Sequence, residues 1–523
     1  MQKAFHTVAF AVLFPAVAFI LTACGGGGGG STGGAPPIAT PPAPPVSGGG
    51  AINVDSGHTA GDWTSQRYDS SGSGDNELQT TITASNVASL APAWTFTGTV
   101  GSESSVAVES GTVYRTEIGG YVYAINEATG LQTWAFSPVT AESFVPSPLF
   151  VNGMVYLEST TGRFYVVNAA SGTQAFLYPD IPQWGPHYNG NPNGHYRGSP
   201  IYKNGVIYTG ASNVNEPGNC MQGGQVLALD PLSPTVQLVE SLTPAGTYGT
   251  GVWSQPVFDA NGDMFVATGN SCTFNLGPNG DSIVRLNPEN LNIVWHSQGP
   301  VDAHDYDFGS TPVVINDEIV DAGKDGYVYA YDTQTGQLLW KYGGTGVVAS
   351  AAAIGPLATD GNYIAVPYTV AGDRQHGAIV VFDTKGNVVW SLLTGTDPNH
   401  PGKGVVSAAA ISHGMLFIGY TKANCTSSCD GVSAFDLASG KELWRYPLPT
   451  PVFGGIAIVN GGLFVSEVDR SKLYCFLPGG KTTSGVHAAQ TYGTKFTGPY
   501  YYSPWIRSQD VEGSNLGTLR TPL

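Results

Sequence analysis

Apolar residues recur along most of this chain at every second position, in short runs that end in an Asp or Asn, a small turn and then Trp. The pattern reads GYVYAINEATGLQTW at 120–134 and GRFYVVNAASGTQAF at 162–176. It returns as GQVLALDPLSPTVQL (224–238), DSIVRLNPENLNIVW (281–295) and GYVYAYDTQTGQLLW (326–340), then as GAIVVFDTKGNVVW (377–390) and GVSAFDLASGKELW (431–444). Alternation at period two predicts strands with two distinct faces. The Asp or Asn opens a hairpin, and Gly130, Gly172, Gly336 and Gly440 supply the positive φ that such a turn demands. Upstream of most copies lies another strand pair, such as SPLFVNGMVYLES or STPVVINDEIVDAG, so each unit offers about four strands. No unit can bury both faces alone, and the final Trp is large enough to fill the space between stacked sheets.

A period of roughly 40–60 residues with four strands predicts the blades of a β-propeller. Seven copies are complete. An eighth begins at GGIAIVNGGLFVSEVDRSKLYCF and stops before its Trp, while LAPAWTFTG around Trp94 offers a lone strand at the other end. The fold expected is therefore all-β: an eight-bladed propeller over 62–480 whose last blade is closed by an N-terminal strand, which hides both open sheet edges. Trp134, Trp295, Trp340, Trp390 and Trp444 are expected between blades.

The flanks differ from the repeats. Residues 1–23 carry Lys3 and then an apolar run interrupted by Pro15, too short for a spanning helix. The run ends Leu21-Thr22-Ala23-Cys24, which resembles the bacterial lipobox. That resemblance implies a signal peptide, a lipidated Cys24 and a lipoprotein of the outer membrane, facing the periplasm or the cell surface and touching the membrane only through its anchor. Residues 24–61 are rich in Gly, Pro and Ser and read as a tether. Residues 481–523 form a tail without repeats.

Composition narrows the function. A formal charge of −17 leaves no positive surface for a phosphate backbone, which excludes nucleic acid as the expected partner. Seventy-one glycines and 36 prolines suit many turns, with only 11% charged residues. The ten histidines show no paired zinc spacing, and no Cys-x-x-Cys-His, nucleophile elbow, P-loop or dinucleotide-binding glycine pattern occurs.

The repeats resemble those of the pyrroloquinoline quinone (PQQ) quinoprotein dehydrogenases. The stretch DWTSQRYDSSGSGDNELQTTITASNVASLAPAW resembles that superfamily's start, with the polyvinyl-alcohol-dehydrogenase-like branch as the nearest match. The resemblance implies PQQ and calcium as cofactors, an alcohol as substrate, small or polymeric, and a separate electron acceptor such as a cytochrome c. Carried over position by position, Trp253 in GVWSQPV is the aromatic floor beneath the quinone. Glu216 and Asn270 are calcium ligands, and Asp305 in HDYDFG is both a ligand and the general base. Lys324 in DAGKDG faces the quinone oxygens, and Glu103 in GSESSV is a first-blade contact. An oxygen-rich set of Glu, Asn and Asp suits a hard cation. Two loops sharing one calcium also bring Cys220 close to Cys272, implying a disulfide there. CTSSC implies another between Cys425 and Cys429, leaving Cys475 as a buried thiol.

There are departures. The adjacent cysteines of the methanol- and ethanol-oxidising members are missing. The propeller lipoprotein of the outer-membrane β-barrel assembly machinery has similar repeats without catalysis, so a protein-binding scaffold stands as the alternative to an alcohol dehydrogenase.

Overall fold

The computed structural model describes residues 61–484, except 141, 180–193, 197, 214–222, 244–248, 270–278, 300–307, 344–350, 353–354, 371–376, 395–406, 421–429, 451, 453, 468–470 and 482. The strands assemble into eight antiparallel sheets that form an eight-bladed propeller. Blades 1 to 7 take their four main strands in chain order from 107–136, 149–177, 201–241, 257–298, 313–342, 358–394 and 410–448. Blade 8 takes three strands from 456–478. Its fourth is Leu90–Thr97, paired antiparallel with Lys472–Pro478 so that Trp94 faces Cys475. Thr483–Ser484 adds a short parallel strand outside it. Blades 3 and 6 also carry short extra strands, Gly194–Tyr196 and Ala351–Ala352.

The turns form for local reasons. At the head of each third-to-fourth turn an Asx side chain accepts backbone N–H groups two or three residues on, as Asn126 Oδ1 does from Thr129 and Asp436 Oδ1 from Ser439. The Leu232 N–H and the Ser233 hydroxyl hold the Asp230 carboxyl below its ordinary range, and the Thr335 hydroxyl and N–H do the same for Asp332.

Neighbouring blades are locked by tryptophan on glycine. Trp94, Trp134, Trp295, Trp340 and Trp390 each lie against the turn glycine of the next blade, Gly130, Gly172, Gly336, Gly386 and Gly440. A Cβ added at any of these glycines would stand 2.6–2.8 Å from indole Cδ2. Most of the indoles also donate to that turn: Trp94 to Glu127 O at 2.7 Å, Trp134 to Ala169 O at 2.8 Å, Trp295 to Thr333 O at 3.1 Å and Trp390 to Leu437 O at 2.7 Å. Trp340 instead donates to the Glu318 carboxylate, and Trp444 to Leu90 O in the strand that completes blade 8. Because Trp94 belongs to blade 8 and Gly130 to blade 1, the same lock closes the ring. Phe176 and Leu238 stand where blades 2 and 3 would carry Trp. At those junctions tyrosine hydroxyls reach across instead, Tyr156 to Pro231 O and Tyr208 to Pro288 O.

Antiparallel order gives the ring two ends. First-to-second and third-to-fourth connections lie at the turn end. Second-to-third connections and those between blades lie at the loop end. At the turn end, residues 61–79 run around the axis and bond to the innermost strand of every blade. Trp63 pairs with Val108 in blade 1, and Thr64 O accepts from Phe150 N in blade 2. Ser70 serves blades 3 and 4, its Oγ accepting from Lys203 Nζ at 3.0 Å and its carbonyl from Phe258 N at 2.7 Å. Ser71 O, Ser73 O and Gly74 O accept from Val314 N, Thr359 N and Ile411 N in blades 5, 6 and 7. Asn76 Nδ2 donates to Ile458 O in blade 8. Arg67 is fully buried and donates to Leu357 O and Ala409 O. The segment thus satisfies inner-strand N–H groups that would otherwise face the axis unpaired.

Candidate functional site

Of the residues expected from the sequence, the described ones, Glu103, Trp253 and Lys324, lie on connections at the loop end. Glu103, Trp253 and Asp305 precede the first strands of blades 1, 4 and 5, whereas Glu216, Asn270 and Lys324 follow the second strands of blades 3, 4 and 5. Among the described residues, Glu103 is half-buried beside the blade 8–blade 1 junction, where Ser102 N donates to Glu467 O. Trp253 is buried at the junction of blades 3 and 4, and Lys324 is half-buried on blade 5. Glu216, Asn270, Asp305, Cys220, Cys272, Cys425 and Cys429 lie outside the described residues, as does Cys24. Cys475 is a buried free thiol, and burial pushes it well above its ordinary pKa.

The segment 250–255 organises this end. Val252 N donates to Ala211 O on blade 3, and Gly269 N on blade 4 donates to Gly251 O at 2.8 Å. Val252 also forms a bridge with Thr268. The chain therefore enters the stretches holding Glu216 and Asn270 from points tied to the same two residues. Gly251 is pressed between Ser212 and the Trp253 indole. A Cβ there would stand 2.5 Å from Ser212 Cβ and 3.3 Å from Trp253 Cε2, so only glycine lets the strands approach this closely.

In blade 5, Phe308 bridges Gly323, the residue before Lys324. The stretch carrying Asp305 thus returns to the sheet beside Lys324. Next to Lys324, the Asp325 carboxyl is raised by burial and accepts from Tyr329 Oη and Tyr327 N.

Around Trp253 the structure adds groups that the sequence did not single out. Ser212 Oγ, Thr250 Oγ1, Ser254 Oγ and both amide atoms of Gln255 are buried without a hydrogen-bond partner. Each unpaired buried polar group costs about 1–3 kcal/mol, so a cluster of them marks a place built to meet something polar. Their signal in the sequence is faint: Ser, Thr and Gln beside a Trp that lies outside its repeat's own Trp position. A flat quinone bearing carboxyl and carbonyl oxygens has the acceptors that these hydroxyl and amide donors lack, and the indole offers it a face. The described residues therefore fit that cofactor. Among them, no group of three His, Cys, Asp or Glu side chains is disposed to hold a metal.

Among the buried carboxyls on or just after second strands are Glu117, Glu158 and Asp321. Glu117 is raised to about 7 by burial, against the pull of Arg115 and the N–H groups of Val100 and Thr99. Glu158 is raised well above the carboxylate range by burial, offset in part by the Thr209 hydroxyl. Asp321 is raised to about 8 by burial, offset in part by Ser310 and the Ala322 N–H.

Fold and site together define a quinoprotein-type propeller with a polar, aromatic-lined loop end. The chain belongs to the family described as outer membrane protein assembly factor BamB (PQQ_2), whose pattern matches residues 79–280 and 279–451. It is 25% identical over 427 residues to a polyvinylalcohol dehydrogenase of a Pseudomonas species, covering 70% of this chain and 64% of that protein. It is 26% identical over 358 residues to a tetrathionate hydrolase of Acidithiobacillus ferrooxidans, covering 67% and 58%. The chain thus spans less than two thirds of either relative. In fold it is similar to the quinohemoprotein alcohol dehydrogenase of Comamonas testosteroni, with TM-score 0.68, 17% identity and coverage of 85% and 84%.

Proposed function

We propose that this propeller is a PQQ-dependent dehydrogenase that oxidises an alcohol to a carbonyl at its loop end, with calcium as the companion ion. One observation carries the reading: unpaired polar side chains of Thr250, Ser254 and Gln255, with Ser212 across Gly251, accompany the buried Trp253 on the segment that joins blades 3 and 4. When bound, the quinone accepts two electrons, and the cation polarises it.

The chain's own residues supply the rest. Trp253 holds a planar ring in a fixed orientation. Glu216 and Asn270 offer oxygen ligands. Asp305 accepts the hydroxyl proton of the alcohol, for which its carboxylate has to be ionised. Lys324, in the turn after the second strand of blade 5, stabilises negative charge as it develops. The sealed turn end leaves the loop end as the route for substrate. Lacking an internal c-type haem motif, the chain would pass electrons to a separate envelope acceptor such as a cytochrome c. The Leu21–Cys24 motif supports an outer-membrane lipid anchor on Cys24.

The test is a titration of the purified full chain with PQQ in calcium, followed by quenching of tryptophan fluorescence. One equivalent is expected to bind, and Trp253→Ala is expected to weaken binding by about 1–3 kcal/mol for loss of the aromatic floor. A wild-type chain that takes up no quinone would instead support the alternative, a non-catalytic envelope scaffold for protein partners.

A further inference from the structure

The blade 3–blade 4 junction lacks its wedge. Leu238 stands opposite Ala228, the register that Trp134 holds against Ala124 and Trp340 against Ala330. The facing turn of blade 4 has no glycine, and Tyr208, which crosses to Pro288 O, fills only part of the space. A cavity of about 380 Å³ remains, lined by Leu238, Tyr208, Pro288, Phe258, Lys203 and Glu289 among others. That volume lies within the range of small-molecule sites, about 300–1,000 Å³.

Lys203 gives the cavity a charged inner end. It is 6% exposed, with Nζ 3.0 Å from Ser70 Oγ and 6.0 Å from the centre of the Phe258 ring. No carboxylate among the described residues lies within ion-pair distance of it. An ammonium has three donors, and one hydroxyl uses only one of them. Buried charges are ordinarily paired, so this one lacks its anion. Glu289 is exposed at the outer mouth, on the turn after the third strand of blade 4.

We propose that this cavity binds a small aromatic carboxylate. The ring takes the space an indole occupies at the Trp-bearing junctions, between Leu238, Tyr208 and Pro288, and the carboxylate pairs with Lys203. The cavity opens at the turn end, away from the proposed quinone site, and does not depend on it.

Titration of the full chain with benzoate, by calorimetry and ligand-observed NMR, tests this. Benzoate is expected to bind at one site, and neutral benzamide at least about tenfold more weakly, the worth of one charged hydrogen bond. Lys203→Met is expected to remove the preference for benzoate. Leu238→Trp is expected to abolish binding of both probes and to raise the thermal midpoint, because the indole refills the space. The proposal is overturned if benzoate does not bind the wild-type chain, or binds Leu238→Trp as tightly. Should Lys203→Met fail to fold, Leu238→Trp and the benzamide comparison decide alone. Loss of quinone binding would leave all these readouts unchanged.

Discussion

Substituting alanine at Gly440 separates the tryptophan lock from ordinary turn strain. Gly440 has φ +72°, and an added Cβ would lie 2.6 Å from Trp390 Cδ2. Gly414, in the first hairpin of blade 7, has φ +66° with nothing within 4 Å of an added Cβ. Both alanines bear the left-handed backbone penalty, about 1–2 kcal/mol. Only Gly440→Ala must also displace a packed indole, an overpacking cost of about 1–3 kcal/mol. The expected losses are therefore about 1–2 kcal/mol for Gly414→Ala and about 2–5 kcal/mol for Gly440→Ala. Urea unfolding followed by tryptophan fluorescence reads the difference directly, and the emission of Trp390 is expected to shift in the folded Gly440→Ala chain. Equal midpoints for the two variants would refute the reasoning, because the indole contact would then contribute nothing beyond the turn.

Two further outcomes follow from the buried charges. Arg67→Ala strips the donors from Leu357 O and Ala409 O and leaves a hole in the axial segment. A loss of about 3 kcal/mol or more is expected, with limited proteolysis newly cutting within 61–79, and an unchanged proteolytic pattern would contradict the closing role of that segment. Asp321, held near 8 by burial, keeps a proton in the folded chain that the unfolded chain releases above its ordinary value. Its stabilising effect is complete in acid and is lost as pH rises through about 8, with a slope of up to about 1.4 kcal/mol per pH unit. Asp321→Asn is therefore expected to flatten the fall in stability between pH 5 and pH 8 (roughly the span between its two titrations), and an identical pH profile for variant and wild type would contradict it.

The ring was legible in the sequence because its rules are local. Period-two strands, an Asx at the head of the turn and a Trp that docks on the next turn's glycine all fall within one repeat. Trp94 could be assigned to blade 8 because that repeat lacked its Trp. The axial role of 61–79 was not legible. That segment has no periodicity, and its bonds run to residues as distant as Ile458, where no local pattern can point. The missing wedges at Phe176 and Leu238 were visible as departures from the repeat. The cavity beside Leu238 depends on the side chains facing it across the junction. At the candidate site the resemblance supplied residue types and order. The clustering of Ser212, Thr250, Ser254 and Gln255 emerges only when blades 3 and 4 are brought together.

The central claim is catalytic, and turnover tests it most directly. Purified full chain is incubated with PQQ and calcium, and oxidation of a panel of primary, secondary and polymeric alcohols is followed with an artificial electron-accepting dye, alongside Asp305→Asn. The account predicts dye reduction that requires quinone, calcium and alcohol together, and a variant that still binds quinone yet reduces no dye. Quinone binding with no turnover on any alcohol, or turnover undiminished in Asp305→Asn, would contradict it.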